Sequence, residues 1–210
     1  LRVLSARTRK LLILRHAAGG KVARLLRTGL LPSAAHGARV SGMSDTGLRQ
    51  LRATAGTLVG AKPACSLTAY LFLQSDAKYD PVVDCTVSVI HEYSTWIWEG
   101  RGSLSRLQHA WHILEPKFSN KATWAMSRGP LSAVWLTLLR IGWDMRAAHL
   151  LQYDICRGIS LLDSSPRDVK DMILLGIQRW QVRRMAAQLP EHDGEVLRGR
   201  AMRQSIRGKG

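Results

Sequence analysis

The stretch that decides the fold is Ser44–Gly60, which reads SDTGLRQLRATAGTLVG. Its apolar residues recur at the 3.6-residue spacing of a helix with one buried face, at Leu48, Leu51, Ala55 and Leu58. Ser44 stands where an N-cap side chain accepts from first-turn amides, and Gly60 stands where helices commonly end. The stretch therefore predicts one capped amphipathic helix.

The same helical periodicity dominates the chain on both sides of this stretch. It predicts a first helix ending at Gly19-Gly20, a second from Val22, a short turn opened or kinked by Pro32, and further helices from Ser66, Pro81, Ser103, Pro130 and Pro166. The β-branched residues of 81–98 would also suit strands. The period is lost over 141–161, where we expect a loop or a small hairpin insertion. The predicted fold class is all-α and bundle-like.

Charge divides the chain unevenly. Of a net charge of +16, residues 1–60 supply +10, because they hold eleven Lys and Arg and one acid, Asp45. We expect a basic helical segment at 1–60, a Trp-rich helical domain at 64–189 and a basic, loosely ordered tail at 190–210. A net positive charge of this size favours nucleic acid as the partner, with an anionic membrane surface as the second possibility. No apolar run approaches the length of a membrane span.

Motifs for catalysis, metals and cofactors are missing. The sequence has no phosphate-binding glycine loop, no HExxH and no GxSxG elbow, and its three cysteines are widely spaced without a CxxC pair. A reducing compartment is the default for such cysteines. His109 and His112 fit surface positions better than ligands, and Asp80 and Asp84 fit the start of a helix. We predict no catalytic residue, metal site, cofactor or small-molecule substrate.

The tryptophans are predicted to belong mainly to the core. Trp111, Trp135 and Trp180 lie in apolar helical stripes. Trp96 and Trp98 are two residues apart, so a helix cannot bury both on one face, and one of them is a candidate surface aromatic for stacking on a base.

The basic helices are the candidate binding surface. Ordinary solvated helix faces alternate acids with bases, whereas these helices are nearly acid-free, which favours phosphate contact. The candidate nucleic-acid-binding residues are Arg7, Arg9, Lys10, Arg15, Lys21, Arg24, Arg27, Arg49 and Arg52. An Arg-rich start is also typical of an organelle transit peptide, here residues 1–27. The chain begins with Leu, so we expect a fragment or a processed product.

The segment Arg27–Gly42 resembles the stretch that follows the polymerase core in LINE-type (non-LTR) retrotransposon reverse transcriptases. There a basic helix leads into leucine-proline, small residues, tyrosine-glycine and tryptophan. Pro32 and Gly37 match, while His36 replaces the usual tyrosine and Ser41 or its neighbour replaces the usual tryptophan. Residues 43–52, 140–143 and 178–180 are similar to the helical region beyond it in retroelement polyproteins of dinoflagellate type.

The resemblance implies the thumb and post-polymerase region of such a polyprotein, which grips template and primer through the backbone. The paired aspartates of the polymerase are absent from this sequence, so no activity is expected of the chain by itself. The resemblance implies a nuclear or cytoplasmic location. The departures at His36 and Ser41 also fit a decayed copy. The alternatives are an organellar RNA-associated structural protein and a helical protein-interaction module.

Overall fold

The computed structural model describes residues 2–60, 80–154 and 157–187. Its helices are α1 (Arg2–Ala18), α2 (Val22–Leu25), α3 (Leu31–Ser41), α4 (Asp45–Val59), α5 (Pro81–Trp98), α6 (Leu104–Lys121), α7 (Pro130–Arg140) and α8 (Pro166–Ala186). Three short strands, β1 (Asp144–Ala147), β2 (Leu150–Asp154) and β3 (Arg157–Ser160), separate α7 from α8. The predicted helix from Ser66, the division at 61–63 and the tail at 190–210 lie outside the described residues.

Capping side chains start the helices at the predicted positions. The hydroxyl of Ser44 accepts from the amide of Gly47, and Gly60 ends α4 in the left-handed region at φ 97°. Asp80, Ser103 and Ser165 cap α5, α6 and α8 in the same way. Each cap satisfies an amide that a helix start would otherwise leave without an acceptor.

Pro32 lies in the first turn of α3, as predicted, but α3 extends to Ser41 instead of ending after a short turn, and helical backbone is continuous from Val22 to Ser41. Residues 26–30 form a wider π turn, in which the amide of Leu31 reaches back to the carbonyl of Leu26. Proline has no amide hydrogen and its ring crowds the carbonyl four residues earlier. The wider turn immediately before Pro32 accommodates both effects, so the helix is not interrupted.

The all-α prediction needs correction at 144–160. There the chain forms an antiparallel sheet in the order β1-β2-β3, so a hairpin is present within 141–161, as expected, and a third strand extends it. Met145, Leu151 and Ile159 are paired across the three strands and are all buried. All three belong to the buried apolar cluster that the helices form. The hydroxyl of Tyr93 on α5 also donates to the carbonyl of Ala148, between β1 and β2, at 2.7 Å. The protein is mostly helical with one small sheet.

One cluster of buried apolar side chains joins helices from both parts of the chain. It extends from Val22 and Leu26 through Leu51 and Ile90 to Ile177. In its wall Trp135 stacks between Trp111 and Phe118, at ring-centroid distances of 4.1 and 4.9 Å. The core positions predicted for Trp111 and Trp135 are confirmed, and Trp180 is half-buried.

Helix α8 packs closely at Gly176 against Trp143, the residue before β1. A β-carbon added to Gly176 would lie 2.7 Å from the ring of Trp143, nearer than such contacts occur. Trp143 also contacts Tyr153 of β2, with ring centroids 5.4 Å apart. Gly176 therefore lets the indole lie directly against the helix backbone.

A buried polar cluster of Arg52, Asp80 and Gln181 lies between α4, α5 and α8. The guanidinium of Arg52 donates from Nε and Nη2 to the two carboxylate oxygens of Asp80, both at 3.0 Å. Gln181 Nε2 donates to the same carboxylate at 2.9 Å, and the amide of Val82 does so at 3.0 Å. Asp80 is fully buried, so these donors replace its water of hydration.

Replacing Asp80 with alanine tests how strongly this cluster stabilises the fold. Asp80→Ala leaves the Arg52 guanidinium buried without its counter-charge, so we expect the free energy of unfolding to fall by about 3–5 kcal/mol. Urea denaturation followed by circular dichroism measures the change. Adding Arg52→Met should recover part of the loss, because no unpaired charge then stays buried.

The matched control is Glu99→Ala, which breaks the solvent-exposed pair between Glu99 and Arg101. We expect a loss of about 1 kcal/mol or less from that change. Equal losses for Asp80→Ala and Glu99→Ala would show that the buried cluster has no special role.

Candidate nucleic-acid interface

Helix α1 supplies the first candidate cations. Arg9 and Lys10 are exposed, while the side chain of Arg7 lies outside the described residues. Arg15 is half-buried and donates to the carbonyl of Thr57 on α4. Arg15 therefore fastens α1 to α4 as well as adding positive charge.

The next three cations, Lys21, Arg24 and Arg27, lie on the outer side of the helical segment that follows. All three are exposed, because Val22, Leu26 and Leu30 of the same segment turn into the core. The helical spacing predicts that Val22, Leu25 and Leu26 face inward and the cations outward. Val22 and Leu26 do so, whereas Leu25 is 46% exposed. This segment therefore presents a row of cations to water.

Helix α4 separates its two candidates. Arg49 is exposed on the side away from the core, whereas Arg52 is 8% exposed and pairs with Asp80. The expectation that Arg52 contacts phosphate is therefore replaced by a structural role, because its guanidinium is already engaged in the interior. Its partner is 28 residues away in the chain, so no local pattern in the sequence identifies the pair.

The one acid among the basic helices is turned away from the candidate cations. Asp45 accepts from Nε of Arg140 at 2.8 Å, and Arg140 lies over the ring of Trp124 at 4.6 Å. Burial lowers the pKa of the Arg140 guanidinium, whereas the neighbouring carboxylate of Asp45 raises it. Asp45 therefore neutralises a cation of α7. In the described part of the chain no ion pair joins Arg9, Lys10, Lys21, Arg24 or Arg49 to an acid.

Asp84 is the acid that affects the basic surface most directly. Asp84 lies in the first turn of α5 and is half-buried. Burial raises the pKa of its carboxyl group; the positive charge of Arg27 lowers this pKa, and the negative charge of Asp80 raises it further. The ionised form of Asp84 is therefore destabilised by its surroundings, and its negative charge offsets part of the positive potential of Arg27.

Two exposed residues outside the candidate list have the chemistry of nucleic-acid contacts. Arg39 belongs to the cation-rich first 60 residues and is exposed near the end of α3. The second is Trp98, which is 48% exposed, whereas Trp96, two residues before it, packs against the core. The two-residue spacing predicts that one of the pair is exposed, but it does not predict which one.

Residues that could perform chemistry do not converge in the described ranges 2–60, 80–154 and 157–187. No group of three or more His, Cys, Asp or Glu side chains there could hold a metal ion. His109 and His112 are both exposed, as predicted. Cys85 is buried, and burial raises the pKa of its thiol to about 12. Asp80 is a helix cap and an ion-pair partner.

Within the same ranges, no helix combines the length and the apolar character required to cross a bilayer. Comparison of the chain with protein-family models, with curated proteins and with solved structures finds no match in any of the three.

The raised pKa of Asp84 predicts how its removal affects stability. The folded protein holds the Asp84 proton more tightly than the unfolded chain does, so ionised Asp84 destabilises the fold. That penalty grows as pH rises from the unfolded pKa through the folded one and is complete above it. Asp84→Asn should therefore raise the melting temperature at pH 7, and the gain should shrink as pH falls towards about 4.

Differential scanning fluorimetry across this pH range measures the gain. Asp171→Asn, at an exposed position on α8, is the matched control and should leave the melting temperature nearly unchanged. A lower melting temperature for Asp84→Asn at pH 7 would mean that attraction to Arg27 outweighs burial.

Proposed function

We propose that this chain binds RNA or DNA through the phosphate backbone and carries out no chemistry of its own. It would act as the thumb and connecting region of a LINE-type reverse transcriptase. The observation that supports binding is the exposure of Arg9, Lys10, Lys21, Arg24, Arg27 and Arg49 on helices with hardly any acid.

Exposure matters because a phosphate contact requires a cation that can leave water for the ligand. Arginine and lysine donate charge-assisted hydrogen bonds to phosphate oxygens, and each neutralised phosphate releases condensed counterions. Five of the six exposed cations, all but Arg27, pair with no acid of the described chain, so binding a phosphate does not require them to leave another partner. Phosphate contacts from all six cations are enough to make binding strongly dependent on salt.

Binding of this kind follows the backbone and is nearly blind to sequence, because phosphate contacts report no base identity. The reverse-transcriptase assignment is supported by Pro32, Gly37 and the basic helix before them. In the fold this segment is a continuous helix whose apolar side, with Leu31, Ala34 and Ala38, is buried. Its outer side is then available to a polyanion.

Salt titration of binding tests the proposal. With a 20-base-pair RNA–DNA duplex, the logarithm of the affinity should fall with the logarithm of salt concentration with a slope of about −5, from six contacts at roughly 0.9 each. Scrambling the duplex sequence should change the affinity little. Fluorescence anisotropy between low and physiological salt measures both quantities.

Two triple variants of equal charge locate the contacts. Lys21→Gln, Arg24→Gln and Arg27→Gln together should reduce the slope by about 3. The control variant joins Arg106→Gln, Lys117→Gln and Arg167→Gln, which are exposed positions on α6 and α8. It should leave the slope within about 1 of the original. A flat salt response, or equal losses in both triples, would contradict the proposal.

A further inference from the structure

A groove of about 660 Å³ opens on a different part of the surface, between the end of α3, helices α5 and α6, and the start of α7. Its walls are mainly apolar and include Tyr93, Trp96, Leu107, Ile113, Leu114 and Leu131. The volume lies in the range of pockets that enclose one small organic ligand.

The hydroxyl side chains that line the groove already have partners inside the protein. The Tyr93 hydroxyl donates to the carbonyl of Ala148, and the Thr95 hydroxyl donates to the carbonyl of His91 at 2.8 Å. The Ser132 hydroxyl donates to the carbonyl of Gly129 at 2.8 Å and accepts from the amide of Arg128 at 2.9 Å. The part of a ligand that enters the groove must therefore be apolar, because a polar group would lose its hydration without compensation.

Positive charge predominates among the ionisable side chains that line the groove. The ionisable lining residues are three arginines, Arg39, Arg101 and Arg128, and one acid, Glu92. Arg101 already pairs with Glu99 at 2.5 Å, whereas Arg39 and Arg128 form no ion pair with an acid in the described part of the chain. The first residues of α7 also line the groove, and the helix dipole there adds to the positive potential.

Two apolar side chains of the lining face water. Val40 is 61% exposed and Ile113 is 49% exposed. A ligand that covered them would remove apolar surface from water in addition to filling the groove.

We infer that the groove binds an anionic amphiphile, with its hydrocarbon part against Ile113 and Trp96 and its carboxylate beside Arg128 and Arg39. A long-chain carboxylate matches both the apolar walls and the cationic edge. A cationic amphiphile of equal length matches only the walls. Apart from Arg39 and Val40 at the end of α3, the lining residues lie outside the basic first 60 residues, and the site does not depend on the proposed binding of nucleic acid.

Calorimetric titration with sodium dodecanoate, kept below its micellar concentration, tests the inference on the full chain. Dodecanoate should bind with a stoichiometry of one and at least tenfold more tightly than dodecyltrimethylammonium. Ile113→Gln should weaken dodecanoate about tenfold, since it removes roughly half the burial of one large apolar side chain. Arg128→Gln should weaken the binding of dodecanoate and should leave the binding of dodecyltrimethylammonium unchanged or slightly tighter.

Matched controls separate the groove from general effects of charge and hydrophobicity. Leu139→Gln changes an exposed apolar residue of α7 that does not line the groove, and Arg49→Gln removes a cation elsewhere. Both should leave dodecanoate binding unchanged. Circular dichroism confirms that each variant is folded.

Three results would overturn the inference: equal affinity for the two amphiphiles, equal losses for Ile113→Gln and Leu139→Gln, or equal losses for Arg128→Gln and Arg49→Gln. So would binding of an acidic amphipathic helical peptide, sensitive to Ile113→Gln, without binding of dodecanoate. That outcome would assign the groove to a partner helix instead.

Discussion

The buried carboxylate of Asp80 is the point on which the packing of three helices depends. Asp80 caps α5, forms a bidentate pair with Arg52 of α4 and accepts from Gln181 of α8. A fully buried carboxylate is tolerated only when donors surround it, so the three helices must meet in one arrangement to supply them. Apolar contacts alone could be exchanged for similar ones, whereas this set of donors has one geometry. The polar cluster thus fixes how the basic α4 packs against the helices that follow it.

That arrangement also determines which cations are available to a ligand. Arg52 pairs with Asp80 in the interior, Arg15 fastens α1 to α4, and Arg140 donates to the carboxylate of Asp45. Asp45 is thereby engaged away from the candidate surface, and two arginines of the first 60 residues, Arg15 and Arg52, are held in contacts within the protein. Lys21, Arg24 and Arg27 lie opposite the buried row of Val22, Leu26 and Leu30, so their exposure follows directly from the packing of the core. The positive field of this part of the surface is a consequence of the same contacts that hold the helices together.

Local signals in the sequence predicted the helices well and the long-range pairs not at all. Ser44, Asp80, Ser103 and Ser165 each start a helix by a contact with an amide two or three residues away, so the residues themselves define the boundary. The π turn before Pro32 was missed because proline can either end a helix or be accommodated by a wider turn. The sheet at 144–160 has strands of four or five residues, too short for alternation to be distinctive. Arg52 and Gln181 are 28 and 101 residues from Asp80, and the walls of the groove come from four helices, so neither feature has a local signature.

We propose that the exposed cations of α1, of the segment after it and of α4 form the surface that binds a polyanion. Titration of the isotope-labelled protein with an RNA–DNA duplex, followed residue by residue through its backbone amide resonances, tests this proposal. We expect the largest shifts at residues 9–10, 21–27 and around Arg49, and we expect them to disappear as salt is raised. Shifts confined to α6 and α8, with the basic helices unaffected, would contradict it.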